Sequence, residues 1–217
     1  MMSNLFNIFD PCTGFFSLNW ISIMIFIMLT PIKYWFYPNK LMNLFNKLIM
    51  TLKMEITMLM PYKGSSLIFL SLFMYIMVNN IMGLMPYIFT SSSHLMFSLS
   101  LALPMWFSFM FYGWLNKSNM MFSHLLPVGT PTILMPFMVM IETISNIIRP
   151  GSLSVRLMAN MIAGHLLMSL LGNNSLSIIL MMSLMFIYLM LMIFELGVAL
   201  IQSYVFMILS TLYSSEI

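Results

Sequence analysis

The scarcity of charge is the feature that most constrains how this chain can fold. Only 6% of its 217 residues are charged, whereas 61% are hydrophobic and the mean hydropathy is +1.00. A soluble domain is typically about a quarter charged, so this chain lacks the polar residues needed to cover a core. Its apolar runs are long enough to cross a bilayer as helices, which predicts an all-α integral membrane protein.

Composition also excludes several classes of function. A net charge of +3 is too sparse for nucleic acid, and the single cysteine, Cys12, excludes an internal disulfide or a multi-cysteine metal site. The three histidines are scattered, and the sequence has no HExxH motif and no glycine-rich phosphate loop. We therefore expect no metal and no cofactor. The thirty methionines are spread evenly and indicate lipid-facing apolar surface.

The first half of the chain divides into three spans and one amphipathic helix. Apolar runs at 15–37, 67–89 and 95–115 are each long enough to cross a hydrocarbon core of about 30 Å. Between the first two runs, residues 39–60 alternate polar and apolar positions at helical spacing. This pattern is typical of an amphipathic helix on the membrane surface.

The lysines predict the orientation of these spans. No lysine occurs in the serine-rich turn at 90–94, whereas six flank the other ends of the three spans: Lys33, Lys40, Lys47, Lys53, Lys63 and Lys117. By the positive-inside rule, the amphipathic helix lies on the inner side, and the N-terminus and the 90–94 turn lie outside.

The last third contains two apolar runs that are too long for ordinary spans. Residues 136–171 and 175–212 would each form a helix of about 55 Å, against a hydrocarbon core of about 30 Å. Either each run is broken into two spans, with Pro150-Gly151 as one break, or both are strongly tilted helices. The turn at 172–175 favours an antiparallel hairpin. The whole chain is predicted to be a single membrane domain, 1–217.

Eight side chains that are charged, amide or histidine interrupt the two long runs. Arginine cannot release its proton at physiological pH, so Arg156 can act only as a fixed positive charge. Histidine and buried glutamate can carry protons, which makes His165, Glu195 and Glu142 candidate carriers. Asn160 lies four residues after Arg156, on the same helical face. The full set comprises Glu142, Asn146, Arg149, Arg156, Asn160, His165, Glu195 and Gln202.

Each of these residues also has a purely structural explanation. Arg156 could reach an interface or pair with a glutamate, Glu195 being one candidate, and His165 could be a histidine of the packed core. Asn160 and Gln202 could form interhelical hydrogen bonds. If the hairpin closes at the 172–175 turn, residues equidistant from the turn face each other, which puts His165 near 182, Glu195 near 152 and Gln202 toward Ile144.

Four motifs resemble subunit a of the F-type ATP synthases. The segment Arg149-Pro150 followed by 154–167 (SVRLMANMIAGHLL) is similar to that family's signature, and 194–206 (FELGVALIQSYVF) is similar to its C-terminal motif. Residues 4–11 (NLFNIFDP) and 141–146 (IETISN) are similar to the mitochondrial branch.

The resemblance implies a proton-translocating stator subunit in the mitochondrial inner membrane, with two half-channels against a rotating c-ring and a tilted C-terminal hairpin. Arg156 matches the arginine that keeps ring carboxylates ionised. His165 and Glu195 match an interacting pair on the intermembrane side, and Glu142 suits the matrix side. Asn160 and Gln202 match positions facing the ring, whereas Arg149 matches a variable position.

The implied partners are the c-ring, other F0 and peripheral-stalk subunits, and the lipid bilayer. The chain would not be an enzyme by itself, because it carries no nucleotide site. Two alternatives are a secondary proton-coupled transporter, although no internal repeat is visible, and a purely structural subunit of a respiratory complex.

Overall fold

The computed structural model describes residues 5–12, 16–30, 37–60, 64–126, 129–173 and 178–215. These residues form helices and connecting turns, and no β-strand occurs among them. Four of the helices are long and apolar enough to cross a membrane. The prediction of an all-α integral membrane protein is therefore confirmed.

The N-terminal part contains short helices and one long amphipathic helix. A 3-10 helix at Leu5–Phe9 is followed by another at Leu18–Met24, which continues into α1 at Ile25–Leu29. The span predicted at 15–37 includes residues outside the described part of the chain, and its described helix covers twelve apolar residues, Leu18–Leu29. Helix α2 occupies Lys40–Leu59, with Asn39 at its N-cap position.

Helices α3 and α4 form the next two long elements. Helix α3 spans Ser65–Gly83 and ends six residues before the predicted limit of 89. Pro86 restricts the residue before it to extended conformations, and Tyr87 adopts a positive φ of 68°, so the helix cannot continue. A 3-10 turn at Ser91–Ser93 leads into α4, Leu95–Asn116, and a short helix that the sequence did not predict, α5, follows at Ser118–His124.

The two C-terminal runs are continuous helices. Helix α6 spans Met135–Asn173 and continues through Pro150, and α7 spans Ile178–Ser215. The alternative in which the first run breaks at Pro150-Gly151 is therefore wrong. At 39 residues, α6 is about 58 Å long. It fits wholly within a 30 Å hydrocarbon core only if it tilts about 60° from the membrane normal.

The register between α6 and α7 differs from the one that a tight hairpin predicts. Asn160 bonds to Gln202, and Gly164 lies against Glu195, so the predicted positions near Ile144 and 152 are wrong for Gln202 and Glu195. The facing residues are therefore offset by about 13 positions from those equidistant from the turn. The reason is that side-chain fit between the helices, rather than the length of their connection, sets the contact.

Three apolar clusters pack the helices together. The first joins α2, α3 and α7, with Ile56, Phe69, Phe73 and Met207 among its buried members. The second joins α3, α4, α6 and α7, and the third joins α6 and α7 with Leu84, just after α3. Much of the remaining apolar surface of α7 is exposed, including Met182 and Ile193, as expected for helices that contact lipid or other subunits.

Candidate functional site

The titratable and charged residues of α6 are Glu142, Arg149, Arg156 and His165, spaced along its axis. Glu142 and Arg156 are separated by about 21 Å along the helix, and Arg156 and His165 by about 13 Å. Nine residues correspond to two and a half turns, so His165 points away from the face that carries Arg156. The structure therefore separates the fixed cation from the candidate carriers on both sides of it.

Arg156 lies on an exposed face of α6. Its neighbours on this face are small and also exposed: Ser152, Ala159 and Ala163. Within the described part of the chain, no carboxylate forms an ion pair with Arg156, since the one such pair joins Arg149 and Glu142. The structural explanation in which Arg156 pairs with Glu195 is therefore wrong.

Asn160 links the two long helices one turn beyond Arg156. Its amide Nδ2 donates a hydrogen bond to Oε1 of Gln202 at 3.0 Å. Gln202 is buried, and its Nε2 has no hydrogen-bond partner among the described residues. The interhelical hydrogen bond that the sequence offered as a structural explanation is present, and one donor remains unused beside it.

Glu195 is seated in a gap that only glycine leaves open. The residue is 7% exposed, and its carboxyl group lies against Gly164 of the facing helix. A Cβ atom built on Gly164 would lie 2.5 Å from the carboxyl carbon and 2.9 Å from Oε1 of Glu195, closer than real Cβ contacts occur. A side chain at position 164 would therefore displace the carboxylate.

His165 follows Gly164 in the chain, but its ring faces other neighbours. The imidazole interacts with the backbone of Gly83 at the end of α3, and Phe9 packs against it edge-on at 6.3 Å between ring centroids. Its Nε2 is buried without a partner. No hydrogen bond between His165 and Glu195 occurs among the described residues, so the two are neighbours through Gly164 rather than directly bonded.

A group of buried polar residues at this end of the molecule was missed by the sequence reasoning. Asn80 and Ser92 are fully buried, and neither side chain has a hydrogen-bond partner among the described residues. The turn Ser91–Ser93 contacts both α3 and α6. Buried polar groups normally bond to protein or to ordered water, so these residues create sites for water. The pair Asn79-Asn80, which interrupts an apolar run, was the available signal.

His94 belongs to the same end of the structure. The centroid of its ring lies 5.2 Å from that of Trp20 and 5.3 Å from that of Phe89. Its Nε2 is buried and has no hydrogen-bond partner in the described part of the chain. The sequence showed this residue only as one of three scattered histidines. Aromatic packing around this histidine was not visible from local pattern, because Trp20 comes from a distant segment.

Glu142 lies at the opposite end, beside a cavity of about 730 Å³ between α4, α5, α6 and α7. Arg149 pairs with it, with 3.6 Å between Nη2 of the arginine and Oε1 of the glutamate. Asn146 and His124 also line this cavity. The structure thus brings three of the polar residues predicted from the sequence to one wall.

An apolar cluster separates the two polar ends. It consists of residues from four helices, all at most 5% exposed: Ile76, Ala102, Leu153, Leu157 and Phe206. Leu153 and Leu157 lie on α6 between Glu142 and His165, on the side facing the other helices. A proton path through the interior of the chain would have to cross this closely packed apolar layer.

These features define a class: a multi-pass α-helical membrane protein with titratable groups at two levels and, between them, an arginine that forms no ion pair within the described part of the chain. The family described as "ATP synthase A chain" matches residues 14–215. Proteins called ATP synthase subunit a from Drosophila melanogaster and Anopheles gambiae are 57% and 55% identical to this chain, with full coverage of both sequences in each comparison.

The chain therefore belongs to the ATP synthase A chain family. As a member it is a proton-translocating stator component of the F0 sector, a part of the ATP synthase complex. The resemblance seen in the sequence motifs is confirmed, and this membership argues against the secondary transporter and the respiratory-complex subunit.

The seat of Glu195 leads to a first prediction. Gly164→Ala places a methyl group where the Glu195 carboxylate lies, so the carboxylate has to move away from its position against α6. We expect slower proton flux in assembled complexes, measured by ATP-driven acidification of proteoliposomes. Gly151→Ala is the matched control in the same helix, because no atom lies within 4 Å of a Cβ built there. Equal flux in the two variants would contradict this account of Gly164.

Proposed function

We propose that the chain forms two proton half-channels that meet a rotating c-ring at Arg156, in the mitochondrial inner membrane. The observation that carries the proposal is the position of Arg156: it lies on an exposed helix face, with no carboxylate partner among the described residues. Burying a lone arginine in a bilayer costs about 2.5–3.5 kcal/mol on insertion scales. A carboxylate from another subunit would offset that cost.

The chemistry of arginine determines its role. The guanidinium keeps its charge throughout the physiological pH range, so Arg156 attracts a ring carboxylate and favours its ionised form. It cannot pass a proton on, and it therefore prevents direct transfer from one half-channel to the other. The small exposed side chains of Ser152, Ala159 and Ala163 on the same face allow a partner helix to approach closely.

His165 and Glu195 are the proposed carriers on the intermembrane side. Both lie at the end of the bundle where Asn80, Ser92 and His94 have buried polar atoms with no hydrogen-bond partner among the residues that the structure describes. Water bound to such atoms would supply a hydrogen-bonded path between a histidine and a carboxylate that do not touch. A proton arriving at Glu195 could then neutralise a ring carboxylate as it leaves Arg156.

Asn160 and Gln202 are proposed to organise the region between Arg156 and Glu195. Their hydrogen bond ties α6 to α7, and the unused Nε2 of Gln202 is available to a carboxylate or a water molecule. These two side-chain amides do not ionise at physiological pH. Their contribution is therefore orientation of the ring carboxylate rather than proton transfer.

Glu142 is proposed to lie on the route to the matrix. The adjoining cavity, with Asn146, Thr143 and His124 in its wall, can hold water near the carboxylate. After nearly a full rotation, a ring carboxylate would release its proton toward this cavity. The membrane potential drives the cycle with about 2.3 kcal/mol per charge for each 100 mV.

Arg156 provides the central test. Arg156→Ala removes the fixed charge, and we expect ATP-driven proton pumping to fall by more than about tenfold, equivalent to about 1.4 kcal/mol in an activation barrier. Arg156→Lys keeps a charge but loses the planar guanidinium, so its pumping should also be impaired. Assembly is measured separately on native gels. Normal pumping by a fully assembled Arg156→Ala complex would disprove the proposed mechanism.

Glu195 allows a test of the intermembrane path. Glu195→Gln preserves the size of the side chain but cannot carry a proton, and removing a group that transfers protons usually costs about 100-fold or more. We expect passive proton flux through F0 to fall at least about tenfold while assembly is retained. Unchanged flux would remove Glu195 from the path.

The role of the apolar layer as a barrier to protons can be tested by truncating one of its side chains. Leu157 is fully buried, whereas Leu167 on the same helix is 50% exposed. Leu157→Ala opens a cavity between the two ends, and we expect ATP hydrolysis to become partly uncoupled from pumping because protons leak through. Leu167→Ala should remain coupled. Tight coupling in an assembled Leu157→Ala complex would show that the layer is not the barrier.

A further inference from the structure

Arg149 contacts side chains of two different helices. Its guanidinium pairs with Glu142 on α6 at 3.6 Å, and its Cζ lies 5.2 Å from the centre of the Tyr213 ring near the C-terminal end of α7. Glu142 and Arg149 are seven residues apart, two turns on one face of α6. The arginine side chain therefore spans the gap between the carboxylate and the neighbouring helix.

The side chains involved are only partly exposed. The side chains of Arg149 and Glu142 are 30% and 37% exposed, and ion pairs as open as this contribute little to stability. The position of the Arg149 side chain is therefore more informative than the energy of its ion pair. A cation on the face of an aromatic ring is attracted by the ring's negative face, so Tyr213 fixes the direction in which Arg149 points.

The cavity beside Glu142 offers few polar partners that could hold its carboxylate in one position. Most of the wall is apolar and largely aromatic, with Trp106, Phe107, Phe109, Phe111 and Trp114 supplied by α4. The charged and titratable groups of the described wall are Glu142 and Arg149 from α6, His124 from α5 and Tyr213 from α7. Arg149 is thus the side chain that pairs with the Glu142 carboxylate in this largely apolar surrounding.

Pro150 adds a local reason for the arrangement. A proline has no amide hydrogen to donate to the carbonyl four residues earlier, here that of Asn146. Asn146 lines the same cavity. Helix α6 therefore lacks one of its helical hydrogen bonds at the level of the cavity, in the region where Arg149 contacts Tyr213 of α7.

We propose that Arg149 is a positioning residue for proton release: braced by Tyr213, it holds the Glu142 carboxylate at the wall of the cavity. The proposal rests on the proposed role of Glu142 in the path to the matrix. Arg149 itself transfers no proton, because its guanidinium remains charged. A positioning role predicts that its effect on flux depends on Glu142, and this dependence makes the proposal testable.

The experiment compares single and double variants in assembled complexes reconstituted into proteoliposomes. The set is Arg149→Gln, Arg149→Lys, Glu142→Gln, the double variant Arg149→Gln with Glu142→Gln, and the pair Tyr213→Phe and Tyr213→Leu. Passive proton flux through F0 is measured under an imposed potential, and assembly is measured on native gels so that flux is expressed per complex.

We expect Arg149→Gln to lower flux about threefold to tenfold and Arg149→Lys to restore part of it. Tyr213→Phe retains the aromatic face and should keep more flux than Tyr213→Leu. In the Glu142→Gln background, Arg149→Gln should cause no further loss, because residues that act through one another are not additive.

Two outcomes would overturn the proposal. Normal flux in Arg149→Gln would exclude a positioning role, and an equal additional loss in the Glu142→Gln background would show that Arg149 only supports the structure. The role of Glu142 is tested separately by its own single variant. Normal flux in Glu142→Gln would refute the exit path itself, whereas slow Glu142→Gln with normal Arg149→Gln would refute only the inference about Arg149.

Discussion

The contact between α6 and α7 is the constraint on which the rest of the site depends. Gly164 leaves room for the Glu195 carboxylate, and four residues earlier Asn160 donates a hydrogen bond to Gln202. These two contacts lie about one helical turn apart, so together they lock the register of two helices whose connection alone would permit another. With that register, the carboxylate lies on the same level as His165, and Arg156 remains free on the outer face.

The helical bundle contains polar groups at its two ends and an apolar layer between them. Polar groups without partners collect at the end that holds His165, and an ion pair beside a cavity occupies the end that holds Glu142. Between them, Leu153 and Leu157 pack with side chains from three other helices. In the proposed mechanism, an interior closed in this way leaves the exposed face with Arg156 as the route between the two ends. This is the physical requirement for coupling proton flow to the motion of another subunit.

Much of the fold could be predicted because it depends on local pattern. Apolar length indicated the long helices, and α2 occupies Lys40–Leu59 within the predicted 39–60. The polar interruptions in the last third supplied the site residues, since charge in an apolar helix is costly. Two features were not predicted. Helix α3 stops early because of Pro86 and Tyr87. Helix α5 has too few residues to give a periodic signal in the sequence.

The sequence by itself determined that this is a helical membrane protein and which side chains of its long apolar runs are charged or titratable, because both follow from composition and residue chemistry. Only the tertiary structure decided which of these side chains meet. Counting from the turn placed Glu195 near 152, whereas it lies at Gly164. The contact between Arg149 and the ring of Tyr213 joins residues 64 positions apart. Such contacts depend on how two long helices fit against each other, and neither helix encodes that fit alone.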